Sequence, residues 1–410
     1  MIKAFSLPER IYSPFILVSL LLYFVGLFFP VRAAQSIGFA GVAIIALLSL
    51  PTVSIERSRM AWGIGCVLML AAGAWGAAVA PDAGESWRHF WSYQMIGKGA
   101  VCALALLILP LSSSQLRWVL AFLLVMLVAR NIQMAIYGIQ NAEVVLGMAK
   151  SEAQLLGFRN HADHIVLLAP FVITVTLSWR RWYLTAAMLL AVEVVLLAMT
   201  GWRGAWLGLF GGCLFVLVYF RTWKILGFLV LLMLSVGVIG SFVLDGNIVD
   251  QALRRGVGDS NRIELVWKPV LDLLSVSNWQ GYGFGSARFI EVFSGYAAAH
   301  PEKGIPHFPD PHNMVLAFTM AAGWLGALAF VTPLALGITL CARHLRREDT
   351  PESRALTTGV VASWVGVYGI LGLTDQPYYN NLALLMALTS IVLACGRKRE
   401  HEALIRTDPR

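Results

Sequence analysis

Long apolar runs, interrupted at intervals by one or two charges, set the pattern of this chain and decide its class. A helix needs about 20 consecutive apolar residues to cross roughly 30 Å of hydrocarbon. Twelve such runs can be marked between charges, near 13–29, 35–52, 60–80, 96–111, 116–139, 162–178, 182–199, 203–220, 223–244, 312–340, 355–373 and 379–396. The pattern predicts an all-α integral membrane protein with about 12 transmembrane helices. The fourth run is the weakest, being short and broken by Lys98. Composition points the same way: 58% hydrophobic residues, 13% charged and a mean hydropathy of +0.71 lie well outside the range of soluble domains. Residues 1–410 read as one polytopic membrane domain.

Positive charge orients the runs, because short cytoplasmic loops carry the excess of lysine and arginine. With the N-terminus inside, Lys3 and Arg10, Arg57 and Arg59, Arg117, Arg180 and Arg181, Arg221 and Lys224, Arg343 to Arg354, and the tail with Arg397, Lys398 and Arg399 all fall on one side. Both termini are therefore expected in the cytoplasm. The net charge of +8 and pI near 9.4 follow mostly from these loops and read as a topology signal, with no nucleic-acid partner implied. Residues 1–34 imitate a secretory leader, with Lys3 and Arg10 before an apolar stretch and Ala33 and Ala34 after it. That stretch is of spanning length and is expected to be retained. Cys66, Cys102 and Cys213 sit inside runs and Cys341 and Cys395 at cytoplasmic ends, so neither a disulfide framework nor a metal quartet is available.

One outer segment, residues 245–311, is far longer than any other connection, and long loops usually carry function. It is expected to be a large periplasmic loop with short helices between spans nine and ten. Six basic residues stand in it against eight acidic ones, so any anion recognition must come from particular arginines. NRIELVWKPVLDLL reads as an amphipathic helix with Asn261 as cap, Glu264 three residues on and Arg262 in the first turn. A solvated surface role would account for Arg262 as well. GYGFGSARF lacks the third glycine and the strand–helix setting of a dinucleotide loop. Its Gly281, Gly283 and Gly285 are expected to permit tight turns that bring backbone close to a ligand or another loop. Arg288 follows as an anion candidate, with a salt bridge to Glu291 as the competing account.

The loop ends in PDPHNMVLAF, which puts His312 where polar sequence gives way to hydrocarbon. Asp310 as cap and Pro311 at the first helical position predict a helix that begins here, with His312 in its first turn. The positive end of a helix favours the neutral imidazole that can accept a proton. Asn313 is a supporting candidate beside it. Arg203, in TGWRGAWLGLF at the outer edge of the eighth run, is costly to bury and suited to bidentate contact with phosphate. Snorkelling to the interface is the alternative. Arg159 and His161, in GFRNHADH at the start of the sixth run, and Arg130, within the fifth, fit the same logic, and pairing inside the bundle would explain them too.

These residues carry a resemblance. The chain resembles the bacterial O-antigen ligases of the O-antigen ligase and polymerase superfamily, most specifically from SNRIELVW through GYGFGS to HNMVLAF, with Gly323 and Gly326 following. WRGAWLG at Trp202 and RNHAD at Arg159 support it. The chain departs in having Ala321 and Ala322 where such proteins often place a glutamate, and RNHAD where an Asn-Pro-Asn sequence is common. The resemblance implies transfer of O-antigen polysaccharide from undecaprenyl diphosphate to a sugar hydroxyl of lipid A–core, on the periplasmic side of the bacterial inner membrane, without cofactor or metal. It matches His312 to the family's essential histidine, and Arg203 and Arg262 to its essential arginines. Arg288, Arg159 and Arg130 remain further diphosphate-binding candidates. Three other readings stay in view: a polymerase, a protein O-oligosaccharyltransferase with the same donor, and a transporter of a lipid-linked or anionic solute. Against the last, the sequence offers no inverted repeat and no paired interrupted helices.

Overall fold

The computed structural model describes residues 9–29, 31–49, 56–109, 111–141, 152–178, 183–200, 202–228, 230–231, 234–235, 262–346 and 350–395. Among these residues the chain is helical, without a strand. The helices are α1 (Glu9–Phe28), α2 (Arg32–Ser49), α3 (Arg57–Val79), α4 (Ala83–Arg88), α5 (Ile96–Leu106), α6 (Ser113–Gln140), α7 (Glu152–Ser178), α8 (Tyr183–Thr200), α9 (Arg203–Tyr219), α10 (Lys268–Val276), α11 (Ser286–Ala299), α12 (Met314–Leu345), α13 (Pro351–Ser363) and α14 (Tyr379–Cys395). π-helical stretches continue α4 (His89–Tyr93), precede α10 (Ile263–Trp267) and extend α13 (Trp364–Leu371).

Six helical segments are long and apolar enough to cross a membrane, and five shorter apolar helices accompany them. Together they coincide with every expected run except 223–244, which lies largely outside the described residues, as do both termini. The fourth run yields only the 11-residue α5, and α7 starts ten residues before the expected 162, so Arg159 and His161 lie within a helix.

Burial sorts the helices into two layers. The segment His161–Ser178 of α7, the stretch from α13 to Thr374, and α14 are almost wholly enclosed, whereas α2, α3, α6 and α12 keep apolar side chains such as Ile44, Val67, Val125 and Val331 exposed. An exposed apolar face is what hydrocarbon demands, with backbone hydrogen bonds closed inside each helix. Small residues let helices approach closely: side chains on Gly38, Gly99 or Gly359 would collide with α1, α14 and α7 respectively.

Polar groups inside the bundle pair across helices. Asn131 of α6 donates to Glu193 of α8 (2.5 Å), above a recess of about 260 Å³ lined by Leu124, Val172 and Leu189. Arg59 donates to the carbonyls of Leu393 and Ala394 at the end of α14.

Residues 262–308 build a small core of their own. Val266, Val270, Leu274, Phe289 and Phe293 from the π turn, α10 and α11 pack with Met320 and Leu316 of α12. Its docking depends on a break in α12, where Ala322 and Gly323 leave helical geometry, Gly323 at φ +63°. The carbonyls released there accept from Tyr282 N (2.7 Å, on Met320) and Gly283 N (2.9 Å, on Ala321), while Trp324 N donates to Trp279 O (3.1 Å). A Cβ on Gly323 would overlap Trp279 O, and one on Gly281 would overlap the Gly323 nitrogen. The glycines of GYGFG thus bring backbone against an interrupted helix. Burial raises the Tyr282 phenol above its ordinary pKa, and its hydroxyl donates to Leu273 O at 2.6 Å.

Candidate active site

His312 precedes its helix. α12 begins at Met314 with Asn313 as cap, its side-chain oxygen accepting from Leu316 N (3.1 Å). The expected arrangement, Asp310 as cap and His312 in the first turn, is corrected: His312 takes φ +51°, which no helix continues. Asp310 instead accepts from the backbone N–H of His312 (2.8 Å), closing an Asx turn that holds the bend.

Two carboxylates face the ring. His312 Nδ1 lies 3.2 Å from Asp310 Oδ1 and 3.3 Å from Asp375 Oδ1, and the ring packs edge-on against Phe308. Asp375 is 2% exposed, and its Oδ1 also accepts from Gln376 N (2.8 Å). Carboxylates at Nδ1 fix the tautomer that carries its proton there and leave Nε2 as the acceptor nitrogen. The donor atoms of Asp310, His312 and Asp375 lie within 4.8 Å of one another, a spacing that would also hold a cation.

The turn that bears Asp375 gathers the rest. Arg262 NH1 donates to Thr374 O (2.8 Å), and Asn313 Nδ2 donates to Leu373 O (3.0 Å). α9, which starts at Arg203, runs so close that a Cβ on Gly204 would meet Thr374 Oγ1 at 2.8 Å. Trp267 Nε1 donates to Pro311 O (3.1 Å), pinning the loop core to the His312 bend. On the far side Tyr378 N donates to Asp163 of α7 (3.1 Å). His312, Arg262 and the backbone at Arg203 therefore converge on residues 371–375. The Arg203 side chain lies outside the described residues, as does that of Arg159; so does Asn261, the expected cap before Arg262. Glu264 pairs with Lys268 (2.5 Å).

The remaining candidates lie elsewhere. Arg288 makes the anticipated ion pair with Glu291 (2.7 Å) and donates from Nε to Tyr282 O (3.3 Å). It lines a cleft of about 350 Å³ together with Asp310, Pro311 and Gln376. Arg130 donates to Gln133 (2.7 Å) and stacks over Phe29 at 4.9 Å. His161 is buried beside Tyr137 with Nδ1 unpartnered. Asp375 was not among the residues that sequence reasoning singled out. Its signal was an acidic residue two positions before a proline, in TDQPYY between two apolar runs.

A family model described as O-antigen ligase matches residues 185–331, so this part of the chain is similar to that family. The matched stretch contains Arg203, Arg262, Arg288 and His312; Asp375 lies beyond it. No curated protein and no solved structure matches the chain.

Proposed function

We propose that this protein is an O-antigen ligase, a glycosyltransferase that moves O-antigen polysaccharide from undecaprenyl diphosphate to a sugar hydroxyl of lipid A–core. In this reading it spans the bacterial inner membrane about 12 times with both termini in the cytoplasm, and residues 245–311 face the periplasm. The observation that carries it is the convergence of His312, its buried partner Asp375 and the arginine-bearing elements on one turn, with all but Asp375 inside the stretch matched by the ligase family. His312 Nε2 takes the proton of the acceptor hydroxyl as that oxygen bonds to the anomeric carbon. The bond from that carbon to the phosphate oxygen breaks, and undecaprenyl diphosphate leaves with the electron pair. Such base catalysis contributes typically about 10²–10⁴-fold. Arg262 and Arg203 stabilise the charge growing on the leaving diphosphate, a task that needs no metal. Donor and acceptor are both amphiphiles, so the bilayer already confines them to the plane of the site, and orientation supplies much of the rate.

The test is deletion of the gene in its host, restored either by wild type or by His312→Ala, with lipopolysaccharide separated by electrophoresis. The expected deletion phenotype is core without polymer plus accumulated lipid-linked polymer, rescued by wild type and not by His312→Ala. Core bearing a single repeat would make the protein a polymerase, and an unchanged ladder overturns both readings.

A further inference from the structure

The cleft that Arg288 lines is not an anion site. Its one arginine is closed by Glu291 at 2.7 Å, and its lining also carries the Asp310 carboxylate, which would repel phosphate. Apart from His89, which lies 3.8 Å from Glu85, the other polar lining is largely amide and aromatic, with Gln94, Gln376, Asn380, Tyr93 and Tyr378. Gln94 is half-buried, and its side-chain oxygen, closed off from solvent, has no partner, so a rotation of the amide would offer it to an incoming hydroxyl. Tyr93 and Tyr378 are 51% and 40% exposed and offer apolar ring surface beside that acceptor. Volume fits as well, since about 350 Å³ lies in the range of small-ligand pockets, roughly 300–1,000 Å³. Neutral amides next to exposed rings suit a neutral polyhydroxylated ring: hydroxyls meet the amides and the C–H faces meet the aromatics.

Position decides which sugar. The cleft is walled by Asp310 and Pro311, so it adjoins the His312 bend, and its remaining walls are the GYGFG loop, the π stretch after α4, and residues 376–380. Arg262 is tied to Thr374, on the N-terminal flank of Asp375, and α9 with Arg203 packs on the same residue. With the diphosphate at these arginines, a saccharide in the cleft would lie beside the same His312 bend. A direct displacement brings the attacking hydroxyl to the anomeric carbon opposite the leaving oxygen. We infer that this cleft is the acceptor subsite, taking the neutral sugar whose hydroxyl is glycosylated, with Gln94 and Tyr93 as specificity-determining residues. The inference rests on the ligase reading above.

Two measurements on the full-length protein in lipid vesicles test it. In transfer assays, Gln94→Ala and Tyr93→Ala are expected to raise KM for the lipid A–core acceptor about three- to tenfold, the size of one net hydrogen bond, with donor KM and kcat at saturating acceptor unchanged. Gln94→Glu keeps both the shape and an accepting oxygen and is expected to leave acceptor KM near the wild-type value, which separates a lost hydrogen bond in Gln94→Ala from misfolding. In the alanine variants, a rise in donor KM instead, or no change in either, overturns the assignment. Calorimetric titration with the delipidated core saccharide reads binding without chemistry, and Gln94→Ala should weaken it by the same factor. Saccharide binding by a wild-type protein that transfers nothing would support the cleft and overturn the ligase reading.

Discussion

A histidine with φ +51° carries strain, of order 1–3 kcal/mol for a non-glycine residue in the left-handed region, and persists only where its surroundings impose it. Here they do so three times over: Asp310 holds the backbone N–H, Asp375 faces the ring, and Trp267 grips the preceding carbonyl. Asp375→Asn keeps shape and removes the charge that orients Nδ1, so kcat is expected to fall about 10²-fold or more while donor KM changes little. Unchanged kcat in single-turnover assays would reduce Asp375 to a structural group. The same trio raises the question of a cation. Because Asp310 Oδ1 and Asp375 Oδ1 already accept backbone N–H groups, transfer is expected to survive a chelator such as EDTA; loss reversed by added Mg²⁺ would reassign the trio to a metal. His312 stood out in the sequence as a polar residue at the edge of an apolar run, and Arg262 as a cation in the first turn of an amphipathic helix. Asp375 was not, since its role depends on a contact 63 residues away in sequence.

At the level of elements, length and hydropathy located the helices, because crossing hydrocarbon imposes both. They did not locate the break in α12. Ala321 and Ala322 are good helix formers, and only the approach of residues 279–283 makes a non-helical turn at Gly323 favourable, by supplying N–H donors to the freed carbonyls. The GYGFG glycines were correctly read as a means of close backbone approach, but their partner became visible only with residues 279–283 placed against α12. Gly323→Ala adds a Cβ at φ +63° against Trp279 O, a cost of at least about 1–2 kcal/mol from backbone conformation alone. It is expected to lower the thermal midpoint and to open residues 277–285 to protease. Gly227, where an added Cβ would meet nothing within 4 Å, is the control: Gly227→Ala should change neither.

For the molecule as a whole, what hydropathy cannot reveal is which runs are central, because a helix enclosed by protein and one facing lipid are equally apolar. α7 and α14 occupy the middle, and the turn with Asp375 reaches its place only because both surround it. The Asn131–Glu193 bond has a consequence during synthesis. A charged group at the centre of a span costs on the order of 2.5–3.5 kcal/mol on insertion scales, and Glu193 sits mid-way along α8. α6 precedes α8 in the chain, so the amide that receives Glu193 is already embedded when α8 leaves the ribosome. Residues 183–200 fused alone to a glycosylation reporter are therefore expected to insert poorly, and residues 113–200 well, with Asn131→Leu removing the gain. Equal insertion of all three would show that α8 needs no escort. If the escort holds, order of translation becomes part of the fold: permuting the gene so that α8 emerges before α6 would strand an acidic helix at the translocon.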